Sequence, residues 1–169
     1  AVAISTPPIL KGEPWSDIER LNKERELVGI YLSAHPLDEY KVILDNLCNT
    51  PCQELEDIQK LSGREDIVIG GIVTGVRQKY TKTGKPCGFV TIEDFEGSGV
   101  LALFGEDWGH FAGMFQEGAS VYIVAKLHQR FRDSNLYDLK VQDVKFMQTV
   151  KDETLQKLTI SIDTDKLDE

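Results

Sequence analysis

The chain has 169 residues, 41% of them hydrophobic, and a net charge of −9. That length supports one ordinary domain, or one small domain and an appendage, with a core large enough to exclude global disorder. The acidic balance argues against a general nucleic-acid binder, and no apolar run reaches the roughly 18 residues of a membrane-spanning helix.

Residues 1–14 carry Pro7, Pro8, Gly12 and Pro14 and read as an extended lead-in. They lack a basic start and a long apolar stretch, so they do not read as a signal peptide. A first residue Ala rather than Met is what a piece cut from a longer protein would show. A helix is predicted from Ser16, where Ser16 and Glu19 have capping-box spacing. Ile18, Leu21, Val28 and Leu32 give it an apolar face, and Gly29 marks close packing or the approach of its end. His35-Pro36 breaks this helix, and Pro36 suits the first position of a second one. Leu37, Tyr40, Ile43, Leu44 and Leu47 form the second apolar face. A short, acidic helical piece, Glu54 to Leu61, leads to a boundary at 63–66.

From Asp66 the hydrophobic period becomes that of strands. The first strand is predicted over Ile67 to Arg77, and Gly70-Gly71 and Gly75 inside it predict a bulge or sharp bend. A loop over Tyr80 to Pro86 follows, then a second strand, Phe89 to Glu93. Alternation puts Val90 and Ile92 on one face and Phe89, Thr91 and Glu93 on the other. After a turn at Asp94 to Gly97, the third strand runs Gly99 to Phe104. Trp108, Phe111, Ala112 and Phe115 give a helix over Glu106 to Phe115. The fourth strand, Ser120 to Leu127, is followed by a loop at Arg130 to Asn135. The fifth, Leu136 to Met147, shifts phase after Val141, as a bulge would make it do. Leu158, Ile160 and Ile162 in the tail read as one orphan strand.

The expected fold class is therefore α+β. A helical segment over 15–65 precedes a five-stranded barrel over 66–148, with a helix between strands three and four, and a linker and orphan strand fill 149–169. That order of elements is the order of an OB-fold barrel. Charge follows the same division: net −5 over 1–65, −1 over 66–148 and −3 over 149–169. Within the least acidic part, Arg77, Lys79, Lys82 and Lys85 place four positive charges in nine residues, and Arg130 and Arg132 supply a second basic loop. These loops fall between strands one and two and between strands four and five, flanking the fold's oligonucleotide face. The cations are candidates for phosphate contact, Tyr80 and Phe89 for stacking on an unpaired base, and Thr91 shares the Phe89 face.

Other chemistry finds no support. Cys48, Cys52 and Cys87 are an odd count, which argues against a disulfide framework and for a reducing, cytoplasmic compartment. Cys48 and Cys52 lack the two further ligands of a zinc site. His35 has no nucleophile or metal partner and reads as a helix-junction residue, while Glu93, Asp94 and Glu96 read as a solvated turn. No catalytic residue, cofactor or metal site is expected.

The run SDIERLNKERELVGIYLSAHPLDEY, with Gly29, Tyr31, Ser33 and His35-Pro36-Leu37, is similar to the segment before the OB domain in the alpha subunit of bacterial DNA polymerase III. Gly71-Ile72-Val73, Thr81 to Lys85, Phe89 to Asp94, Gly97 and Leu103-Phe104 resemble its OB part, so the likeness covers about residues 15–148. Ala125 departs from it, standing where the family is expected to carry Gly. Anticodon-binding OB domains of some aminoacyl-tRNA synthetases share a similar Phe-to-Asp second strand. The resemblance implies a non-catalytic fragment near the C-terminus of a replicative DNA-directed DNA polymerase, a nucleotidyltransferase whose palm aspartates lie far upstream. It also implies that the OB domain binds single-stranded template. The implied partners are single-stranded DNA, the other domains of the alpha subunit, the clamp and the clamp-loader tau subunit, with no membrane. The alternative reading is a protein-interaction module docking within the polymerase or onto replisome subunits.

Overall fold

The computed structural model describes Trp15, residues 17–29, Tyr31, and residues 34–129 and 137–154. The chain divides into two compact units, 1–36 and 37–169. In the first, α1 (Asp17–Val28) ends at Gly29, whose φ of +85° is the left-handed conformation that commonly closes a helix. The helix stops there, so Val28 sits exposed in its last turn while Leu21 is buried. The predicted Ser16 cap and Leu32 lie outside the described residues. The rings of Tyr31 and His35 meet edge to face with centroids 5.4 Å apart.

In the second unit, a 3-10 turn (Asp38–Tyr40) precedes α2 (Lys41–Leu47). The second helix thus begins later than Pro36, because Tyr40 leaves helical geometry at φ −106°, ψ 6°. A 3-10 segment, Cys52–Leu61, follows; it is broken at Asp57, where φ is −137° and ψ 74°. Five strands then form one antiparallel sheet: β1 (Ile67–Tyr80), β2 (Pro86–Glu93), β3 (Ser98–Phe104), β4 (Ser120–Gln129) and β5 (Tyr137–Phe146). Their order across the sheet is β3-β2-β1-β4-β5. Between β3 and β4 lies α3 (Glu106–Phe111), extended by a 3-10 turn. After β5 the chain enters α4 (Met147–Thr154), where the sequence reading placed the last strand residue and the start of a linker.

The sheet curls around its core because β1 serves two partners. Ile67 to Ile72 pair with β4, and Ile72 to Tyr80 pair with β2. At the changeover Val73 pairs with Ile92 and Gly75 with Thr91, leaving Thr74 as one extra residue. Such a bulge bends a strand. It also reverses which side-chain parity faces inward. Ile67, Ile69 and Val73 face the barrel core, and beyond the bulge Val76 packs there instead. The bulge is anchored by Val73, whose N–H donates to the Ala119 carbonyl at 2.9 Å and whose carbonyl accepts from the Gly118 N–H at 2.8 Å. The expected break at Gly70-Gly71 is something else. A side chain on Gly70 would meet Leu44, Met147 and Cys48, and one on Gly71 would meet Ile92 and the Glu93 carbonyl. These glycines admit neighbours to the backbone on both faces of the sheet.

Two apolar clusters result. Inside the barrel, Ile67, Ile69, Val90, Ile92, Leu101, Leu103, Val121 and Ile123 pack with Trp108, Phe111 and Phe115. Cys52, Leu55 and Leu61 from the 3-10 segment belong to this same core. Outside the sheet, Leu37, Tyr40 and Ile43 pack with Ile72, Met147 and Val150, so α2 and α4 cover the outer face over the first half of β1. In β5 the phase shift read from the sequence is a second bulge. Val124 pairs with Asp143 and Ala125 with Val141, which turns both Val141 and Val144 inward.

Candidate nucleic-acid interface

The β1–β2 hairpin is longer than the sequence predicts. Lys79 and Tyr80 are strand residues, opposite Cys87 and Pro86. The turn is confined to Lys82–Gly84, closed by Thr81 N–H to Lys85 carbonyl at 2.8 Å and Gly84 N–H to Thr81 carbonyl at 2.9 Å. Gly84 takes φ +77°, as the last residue of a three-residue hairpin loop does. The Thr81 hydroxyl accepts from the Lys85 N–H at 3.1 Å, which stiffens the tip and holds Lys82 and Lys85 beyond the strand ends.

The cross-strand register decides which side chains share a face. Phe89 lies opposite Arg77 and Ala102, and Thr91 opposite Gly75 and Val100. Directly opposed residues point the same way, so Arg77, Lys79, Phe89, Thr91, Val100, Ala102 and Phe104 occupy the outer face. Gly88 marks the inner one, since a Cβ there would collide with the Trp108 ring. Lys79 Nζ sits 5.6 Å from the centre of the Phe89 ring, within cation–π range. Phe89 in turn meets Phe104 edge to face, centroids 6.2 Å apart at 85°. Phe104 is 51% exposed and Val100 49%. Among the described residues, no ion pair engages Arg77, Lys79, Lys82 or Lys85.

Tyr80 is placed apart. It is 70% exposed, but its parity is that of Val76, so it leaves the hairpin on the side opposite Phe89. Arg130 and Arg132 lie outside the described residues, as does the stretch containing Leu158, Ile160 and Ile162. The strands flanking the second loop end with Gln129 opposite Tyr137. The Gln59 side chain holds that end of β5 by both backbone groups, accepting from the Tyr137 N–H at 2.8 Å and donating to its carbonyl at 3.1 Å. Sequence reasoning missed Phe104 as a surface aromatic; its alternation with Leu101 and Leu103 on β3 was the available signal.

The far end of β2 is acidic and built for structure. Asp94 Oδ1 accepts from the N–H groups of Glu96 at 2.8 Å and Gly97 at 3.0 Å. Its Oδ2 accepts from the Cys52 N–H at 2.6 Å, tying the turn to the 3-10 segment. Nearby, burial pushes the Cys48 thiol up to about 12, with the Asp94 charge adding to the shift, and raises Cys52 still further for the same reasons. These thiols stay protonated and poor as nucleophiles or ligands. Among the described residues no group of three His, Cys, Asp or Glu could hold a metal ion, and no helix is long and apolar enough to cross a membrane.

Residues 67–146 match the family described as an OB-fold nucleic acid binding domain. The chain is 29% identical over 118 residues to DNA polymerase III subunit alpha of Saccharopolyspora erythraea, which covers 70% of this chain and 10% of that protein. It is 29% identical over 166 residues to the same subunit of Halalkalibacterium halodurans, covering 96% and 14%. The chain thus spans about a tenth to a seventh of these relatives. Among solved structures, the yeast mitochondrial single-stranded DNA-binding protein Rim1 matches at 15% identity with a TM-score of 0.36, over 48% of this chain and 92% of that one, too loosely to bear on function. The chain is a relative of the bacterial DNA polymerase III alpha subunit, and its residues 67–146 are an OB-fold nucleic-acid-binding domain.

Proposed function

We propose that this chain binds single-stranded DNA across the outer face of β1, β2 and β3, as the template-holding part of a replicative polymerase, without strong sequence preference and without catalysis of its own. The observation that supports this best is the continuous row Lys79, Phe89 and Phe104, with Lys82 and Lys85 projecting past it. Phosphates lie along Arg77, Lys79, Lys82 and Lys85, bases stack on the two aromatic rings, and Thr91 offers a hydroxyl on the side of Phe89 away from Phe104. The acidic Asp94–Gly97 turn at the other end of β2 gives the strand a direction by repelling its phosphates. Nucleotidyl transfer belongs, in this reading, to other domains of the alpha subunit. Those domains, the clamp and the clamp-loader tau subunit are partners of the whole protein under the same proposal.

The test is titration of a labelled oligonucleotide at low and moderate salt. Each phosphate neutralised on a single strand contributes about −0.7 to the slope of log affinity against log salt, so four cations give about −3. A stacked base is worth roughly 1–3 kcal/mol, so Phe89→Ala with Lys82→Ala together should weaken binding at least tenfold. Absence of binding at low salt, or indifference to the double substitution, would sink the reading. A second reading, docking onto protein, draws on the exposure of Val100 and Phe104 beside an apolar groove. It predicts salt-insensitive association with other polymerase domains and no oligonucleotide binding.

A further inference from the structure

The sheet order leaves β3 and β5 as its two edges, and a groove of about 350 Å³ opens between them. Leu101, Ala102 and Leu139 give it apolar walls, and Phe104 joins the lining. Asp107, from the start of α3, and Asp138, on β5, bring carboxylates into the lining, and His128 and Lys140 stand on the β4–β5 side. Phe104 is common to this groove and to the aromatic row, so a strand following Phe89 reaches the groove next.

We infer that the groove is a subsite for one unstacked nucleobase, and that it prefers bases carrying an exocyclic amino group over thymine or uracil. This rests on the strand-binding reading above and adds a specificity to it. The apolar walls suit the flat faces of a base, and the cation Lys140 lies to the β4–β5 side of the lining, where the phosphate of the same nucleotide can reach it. A phosphate inside the groove is opposed by Asp107, which no ion pair engages among the described residues. A carboxylate only accepts hydrogen bonds. It therefore favours the amine of cytosine, adenine or guanine, whereas in unpaired uracil or thymine the one ring donor, N3–H, lies between two carbonyls that repel the carboxylate oxygens. The phosphates of the same nucleotide remain outside, toward Lys140 and the hairpin lysines. Sequence-tolerant contacts on Phe89 and the cations are thereby joined by one position that reads base chemistry.

Oligo-dC and oligo-dU separate these ideas, because their bases differ at the exocyclic group and the adjoining ring nitrogen. Anisotropy titrations of the 169-residue chain at one low salt concentration should show oligo-dC bound about fivefold more tightly, the low end of what a good base contact discriminates. Asp107→Asn keeps an acceptor and adds a donor, so the ratio should fall to about one even if both affinities rise with the lost negative charge. Ala102→Leu, which narrows the groove without altering charge, should bring oligo-dC down to the oligo-dU value; circular dichroism checks that both variants fold. Equal affinities in the native chain, or a ratio unmoved by Asp107→Asn, overturn the base subsite and leave the strand-binding reading standing, with the two sheet edges then open to a peptide strand instead. Binding of neither oligonucleotide overturns both.

Discussion

From Ile67 to Val73, β1 lies between two packed layers: the barrel core on one face, and α2 and α4 on the other. From Arg77 to Tyr80 the same strand is exposed, pairs only with β2, and carries two cations. The difference turns on Thr74. Before it, odd-numbered residues face the core; if that alternation continued, Arg77 and Lys79 would point into the barrel beside Val90. The extra residue sends them outward to meet Phe89. One bulge thus lets a single strand be structural at one end and available for binding at the other.

The largest test of this contrast is deletion of Thr74. Without the extra residue the alternation runs on unbroken, with Val73 and Val76 still inward and Arg77 and Lys79 still outward, but β1 loses the bend between its β4-paired and β2-paired halves. A loss of about 3 kcal/mol in urea unfolding is expected, the upper end of what single changes commonly cost; a folded variant of native stability would show that β1 does not need the bulge to bend. Next comes Gly71→Ala, which puts a methyl 2.6 Å from Ile92 Cγ2 and 2.7 Å from the Glu93 carbonyl oxygen. Overpacking of this kind costs about 1–3 kcal/mol, while under the proposed binding mode oligonucleotide affinity of the folded protein should stay unchanged, because the proposed face is elsewhere.

A smaller effect, confined to the covered end, is alkaline sensitivity. Burial raises Cys48 from 9.0 to about 12 and, with Glu39 nearby, Tyr40 from 10.0 to about 12. Both groups ionise more readily in the unfolded chain, so their share of stability is intact below pH 9 and lost progressively toward pH 12. Urea midpoints should fall between pH 8 and pH 10.5, and Cys48→Ala should flatten that fall. The smallest expected change is Tyr80→Ala, which should shift oligonucleotide affinity by less than about 0.5 kcal/mol, since the register turns Tyr80 away from the aromatic row. A tenfold loss would mean that the DNA wraps the hairpin tip and touches both faces.

Much of this was legible in the residues. The five strands, the inward set Val90, Ile92, Leu101 and Leu103, and the phase shift after Val141 all follow from alternation, because a half-buried strand writes its period into the sequence. The β1 bulge was placed only in part: it lies beside Gly75, one of the three glycines read as its markers. Gly70 and Gly71 carry the conformational signature, while Thr74 has none and is defined only by what β2 pairs with. The 3-10 geometry of Cys52–Leu61 was read as a plain helix because apolar spacing is similar in both and the break at Asp57 is a tertiary fit. At the candidate interface, charge and aromatic content pointed to the hairpin, but only register could assign Lys79, Phe89 and Phe104 to one face and Tyr80 to the other.

The 3-10 segment also governs where the protein can be cut. Cys52, Leu55 and Leu61 are buried among barrel residues, and the Asn49 side chain pairs with the free edge of β1, accepting from the Val68 N–H at 2.8 Å. A fragment starting at residue 66 would lose both, leaving an apolar opening and an unpaired strand edge, the features that drive aggregation. Limited proteolysis should accordingly spare residues 37–80, and the smallest autonomously soluble piece is expected to begin at Leu37, ahead of the first strand.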